Sequence, residues 1–127
     1  MPRNRRPRDR EEKSAEIVAA ATELFTEVGF EKTSLSRIAS AAGVTTTTIY
    51  WYFDDKDALL VGVLDQLLAD FLHEIGTVED EPWVDQLLWV LDRLRRYEKL
   101  VTTVHALAPT SETVGPWHER FHDLTNA

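Results

Sequence analysis

Two groups of residues in this chain have types and spacings that could do chemistry. The first is Thr45, Thr46, Thr47 and Thr48, followed by Tyr50, Trp51, Tyr52 and, after Phe53, by Lys56. Hydroxyls and threonine methyls suit phosphate oxygens, base edges and the thymine methyl group, and a lysine suits phosphate. Helix propensity does not favour four consecutive threonines, because each is β-branched and bonds locally to backbone. Thr45 has an ordinary role as an N-cap. Taken singly, each residue fits a capped short helix with aromatic core positions. As a set they point to DNA reading.

The second group is His118-Glu119-Arg120-Phe121-His122, which spells H-E-x-x-H. On a helix, i and i+4 share a face, so two imidazoles can bind zinc while the glutamate acts as base. A catalytic site also needs a third protein ligand and an open position. Only five residues follow His122, too few for the usual downstream ligand. With Pro116 starting a last short helix, His118 falls in a first turn. The expected role is an amphipathic terminal helix with Trp117 and Phe121 on its buried side. No catalytic, metal-binding or cofactor-binding residue is expected. A metal-dependent hydrolase using His118, Glu119 and His122 stands as the alternative function. The chain has no P-loop, no glycine-rich dinucleotide turn and no nucleophile–base pair.

The elements that must position the first group are legible in the apolar spacing. Leu35, Ile38, Ala39 and Ala42 make one buried helix face. Gly43 interrupts, able to take the left-handed backbone of a tight turn, and Val44, Ile49 and Phe53 resume the pattern. Two helices so joined match a helix-turn-helix, whose second helix lies in the major groove. Upstream, Ile17, Ala20, Ala21, Leu24, Phe25 and Val28 mark a first helix ended by Gly29. Thr33 or Ser34 can cap the second helix, and Asp54 or Asp55 the fourth, whose apolar residues run from Leu59 to Ile75. Gly76 to Pro82 is a connection, with Pro82 in the first turn of the next helix. From Val84 to Ala108 apolar residues keep helical spacing, with Arg93, Arg95, Arg96 and Lys99 as solvated charge. Residues 109–115 read as a loop. No alternating stretch predicts a sheet. The fold class is all-α: a three-helix head with a helix-turn-helix, then a partial helical-bundle body. Within that body Trp83, Trp89, Tyr97, His105 and Trp117 fit either a small-molecule pocket or ordinary core and rim packing.

Gly29-Phe30, Thr33-Ser34, Ile38-Ala39, Ala42-Gly43-Val44, Thr48-Ile49-Tyr50, Tyr52-Phe53 and Lys56 together resemble the DNA-binding domain of TetR-family transcriptional regulators, over about residues 14 to 60. The resemblance implies a ligand-responsive repressor that acts as a homodimer on a double-stranded DNA operator and binds a small-molecule effector. It places DNA contacts on Ser34, Ser36 and Arg37 of the first motif helix. Further contacts fall on Thr45, Thr46, Thr47, Tyr50, Trp51 and Tyr52 of the second, and on Lys56. Thr47 stands where many members carry glycine or alanine. Members are also longer, their last two helices forming the dimer interface, so an incomplete body is expected here.

The domains expected are a disordered basic arm over 1–13, a helix-turn-helix domain over 14–56 and a helical regulatory body over 57–127. The arm carries Arg3, Arg5, Arg6, Arg8, Arg10 and Lys13, with Pro2 and Pro7 opposing helix, and is expected to add DNA affinity. The net charge of −8 looks wrong for a DNA binder until it is divided. Residues 1–56 hold nine basic and nine acidic groups, whereas residues 57–127 hold five and thirteen, which accounts for the whole excess. At 127 residues and 43% hydrophobic, the chain can bury a modest core. No run is long enough to span a membrane and there is no cysteine, so a cytoplasmic location is expected.

Overall fold

A computed structural model describes the backbone of residues 7–126 and the side chains of residues 10–124. Among the described residues the chain is all helical: α1 (Pro7–Glu27), α2 (Leu35–Ala42), α3 (Thr46–Tyr52), α4 (Lys56–Thr77), α5 (Trp83–Arg96), α6 (Glu98–Leu107) and α7 (Val114–Asn126). Two compact units divide between Val63 and Leu64.

The first unit is built around Ile17, Ala21 and Phe25 of α1, Ile38 of α2 and Ile49 of α3, all fully buried. Phe30 closes the core against Phe25 with ring centroids 5.1 Å apart. Each of these isoleucine and phenylalanine side chains contributes roughly 1.5–3 kcal/mol through burial. Leu59, Leu60 and Val63 of α4 are buried as well. Phe53 and Val18 crowd Gly62, so the start of α4 packs on this unit.

Local chemistry fixes each helix end. The Ser34 hydroxyl accepts from the Arg37 N–H at 3.1 Å and starts α2. Gly43 ends it at φ 73°, ψ 30°. There its N–H donates to the Ser40 carbonyl at 3.2 Å, and the Val44 N–H donates to that of Ala39 at 2.9 Å. These are the two bonds of a Schellman turn, which needs the left-handed conformation that glycine takes without strain. Thr45 caps α3 through its hydroxyl, 3.1 Å from the Thr48 N–H. Asp55 caps α4, its carboxylate accepting from the Ala58 N–H at 2.8 Å. Buried Thr33 ties the α1–α2 connection, its hydroxyl donating to the Gly29 carbonyl at 2.7 Å.

α1 starts earlier than expected. Residues 7–13, expected in a disordered arm, are helical. Pro7 does not oppose this: at a helix's first position it has no intrahelical N–H bond to lose, and its φ suits the helix. Lys13 pairs with Glu16 one turn on, at 3.5 Å. Arg3, Arg5 and Arg6 of the expected arm lie outside the described residues.

In the second unit Leu100 and Val104 of α6 are buried with Val114 and Trp117 of α7. The Trp117 indole N–H donates to the Asp65 carboxylate at 2.7 Å, anchoring α7 to α4. The single helix expected from Val84 to Ala108 is two, separated at Tyr97, which sits at φ −105°, ψ 16°. Pro82 lies just before α5 rather than in its first turn. The last helix begins at Val114 instead of Pro116, because the Ser111 hydroxyl accepts from the Val114 N–H at 3.0 Å. Gly115 lies in this corner, where a Cβ would stand 2.7 Å from the Ala108 carbonyl oxygen.

Arg93 corrects the expectation of solvated charge. It is half-buried and pairs with Glu74 of α4. Its guanidinium also lies 4.9 Å from the Trp89 ring centroid. The Glu74 hydrogen bond is the main reason that its pKa rises above the ordinary arginine value, against the opposing effect of partial burial. α5 itself has no buried residue, and Trp83, Leu87, Leu88, Leu91 and Leu94 are exposed.

Candidate nucleic-acid interface

α3 is seven residues long and two-sided. Ile49 is fully buried and pins the helix to the core, while Trp51 is 81% exposed and Tyr50 is 55% exposed. Thr45 and Thr47 are exposed, and Thr46 and Tyr52 are half-buried. Ser34, Ser36 and Arg37 of the α2 start are also exposed. None of these ten candidate positions, Lys56 included, is sealed inside the protein.

Two side chains are more committed than the sequence implied. The Thr45 oxygen lies 3.1 Å from the Thr48 oxygen as well as capping the helix, so its first task is structural. Lys56 is folded onto the face of Phe30, its ammonium 4.1 Å from the ring centroid. Partial burial there lowers its pKa from the ordinary lysine value, against the raising effect of Glu31 and Asp57. Conversely, Arg10 is better placed than an arm residue. It lines an open cleft of about 520 Å³ with Thr48, Trp51 and Tyr52. The sequence signal for it was the basic run alone, which cannot reveal that α1 extends back to carry it.

The second unit places the H-E-x-x-H residues differently from expectation. α7 starts four residues before His118, which therefore lies beyond the fraying first turn. His118 and His122 face one another with ring nitrogens 3.1 Å apart. A third histidine, His105 of α6, stands against His118 with centroids 5.0 Å apart. Desolvation first, then the His122 and His105 charges, lower the His118 pKa from the ordinary imidazole value. Glu119 is exposed.

Residues 17–63 match the sequence profile of bacterial regulatory proteins of the tetR family. Over these residues the chain is similar to the DNA-binding head of TetR-family regulators. It is 43% identical over 65 residues to the HTH-type transcriptional regulator HbdR of an Aromatoleum species, a match covering 51% of this chain and 28% of HbdR. A TetR transcription regulator from Haloarcula marismortui superposes with a TM-score of 0.72 and 26% identity, covering 90% of this chain and 64% of that one. NalD of Pseudomonas aeruginosa, a secondary repressor of a multidrug efflux pump, superposes with a TM-score of 0.52 and 31% identity, over 91% of this chain and 62% of NalD. The chain thus spans less than two thirds of each of these relatives. They are transcriptional regulators, and nothing in them supports the hydrolase alternative.

Proposed function

We propose that the chain is a sequence-specific DNA-binding transcriptional regulator, acting as a repressor, with α3 seated in the major groove. The single observation that carries this is the division of α3: Ile49 is fully buried while Tyr50 and Trp51 are turned outward beside Thr47. A large apolar ring left four-fifths in water on a rigid short helix contributes nothing to the fold, and suits a base edge or a thymine methyl. Thr46, Thr47, Tyr50 and Trp51 are the proposed base and groove contacts. Ser34, Ser36, Arg37, Thr45, Tyr52, Lys56 and Arg10 are proposed to hold the phosphates and set register.

Two copies would bind a two-fold symmetric operator in the cytoplasm, half-site spacing being set by the dimer. A cavity of about 340 Å³ in the second unit, lined largely by apolar side chains such as Leu67, Leu68, Phe71 and Leu94, supports a small apolar effector. α4 contributes residues to both units, so an effector that favours one position of α4 would shift the population of DNA-competent dimers.

The test is selection of bound duplexes from a random-sequence library, followed by fluorescence anisotropy on the recovered sequence. The expected result is a two-fold symmetric preference whose affinity falls steeply with salt. Recovery of no preferred sequence would reject specific regulation.

A further inference from the structure

The H-E-x-x-H residues and His105 form a cluster that the DNA-binding function does not use. His105, His118 and His122 each offer a ring nitrogen, and these three atoms all lie within 4.8 Å of one another. Two nitrogens bound to one tetrahedral zinc are about 3.4 Å apart, given metal–nitrogen bonds of about 2.1 Å. The His118 and His122 nitrogens, at 3.1 Å, already stand near that separation. Their i, i+4 placement on α7 puts both rings on one face, and α6 brings the third ring to the same point.

The tautomer of His105 is also set. Its Nδ1 lies 3.0 Å from the Val101 carbonyl oxygen, which can only accept. In the neutral ring that bond holds the proton on Nδ1 and leaves on Nε2 the lone pair that a metal requires. Backbone orientation of the far ring nitrogen is what supports metal-ligating histidines generally. All three residues also line the apolar cavity of the second unit.

We propose that His105, His118 and His122 form a binding site for a divalent transition-metal ion of the zinc class. Three imidazole ligands suit Zn²⁺, Ni²⁺ or Cu²⁺ and do not suit Mg²⁺ or Ca²⁺. The ion joins α6 to α7, and its remaining coordination position is left for water or for an oxygen or nitrogen atom of a molecule in the cavity. Glu119 takes no part in this role.

The test uses the full chain without a histidine tag, stripped with chelator and titrated with Zn²⁺ alone. One equivalent per chain should bind, unaffected by excess Mg²⁺, and should raise the melting temperature. Co²⁺ in its place should give the visible absorption of a four-coordinate site. His105→Ala should weaken Zn²⁺ binding by about tenfold or more and abolish that absorption. His105→Gln, closer in size, should do the same, which separates lost ligation from lost packing. His73→Ala, the remaining histidine, should change nothing. Substoichiometric binding, or His105 variants that bind as the parent chain does, would overturn the three-histidine site. None of these readouts uses DNA, so they fail or succeed independently of the operator-binding proposal.

Discussion

Trp51 and Ile49 are two residues apart on the same short helix, and their burial assigns them opposite tasks. Ile49 is fully buried, so Ile49→Ala removes packed methylenes and should cost about 2–5 kcal/mol of stability. Trp51 is 81% exposed, and Trp51→Ala should change stability by no more than about 0.5 kcal/mol. Its effect should fall on operator affinity instead, with a loss of about 1–3 kcal/mol, roughly five- to 150-fold. Thermal melts and anisotropy on the same two variants check the pair. A Trp51→Ala protein that melts early yet binds operator normally would reverse the assignment. Lys56 is a residue whose placement the sequence could not convey. Its position at the end of the motif was plain, but its contact with Phe30 depends on how the chain turns after α3.

At the scale of elements, the turn at Gly43 and the corner at Gly115 are both glycine sites, for different reasons. Gly43 holds φ 73°, a conformation that costs an ordinary L-residue about 1–2 kcal/mol. Gly43→Ala should lower stability by about that amount and should weaken operator binding by disturbing the α2–α3 angle. Gly115 has an ordinary φ but no room, since a Cβ would meet the Ala108 backbone at 2.7 Å. Gly115→Ala should cost about 1–3 kcal/mol as α7 is forced off α6, seen as an earlier melt. In the first unit most of this was legible beforehand: the cap at Thr45, a cap at Thr33 or Ser34 (the structure uses Ser34), the glycine turn and the buried stripe follow from local rules. The second unit was less so. No proline or glycine marks the break at Tyr97, and apolar spacing runs straight through it, so only tertiary packing decides it. The start of α7 depended on Ser111, whose capping was hidden behind the more obvious Pro116. His105 lies thirteen residues before His118 across a loop and a corner, and no spacing rule connects them.

For the whole molecule, the question is how a chain of net charge −8 associates with a polyanion. The excess lies entirely in residues 57–127, while residues 1–56 are balanced with nine charges of each sign. Charges farther apart than about 10 Å are largely screened at 0.1 M salt, so binding depends on the local set near the groove. On the head that set includes exposed Arg10 and Arg37. Each phosphate neutralised releases counterions and adds about −0.9 to the slope of log affinity against log salt. Arg37→Ala and Arg10→Ala should therefore each flatten the slope by about one, with little change in which sequence is preferred. Trp51→Ala should do the converse, relaxing sequence preference and leaving the slope intact. Anisotropy titrations at several salt concentrations, on the selected duplex and on a scrambled one, separate the two behaviours. If Arg10→Ala left the slope unchanged, the cleft it shares with Thr48, Trp51 and Tyr52 would lie off the DNA, and the proposed seating of α3 would have to be rotated away from α1.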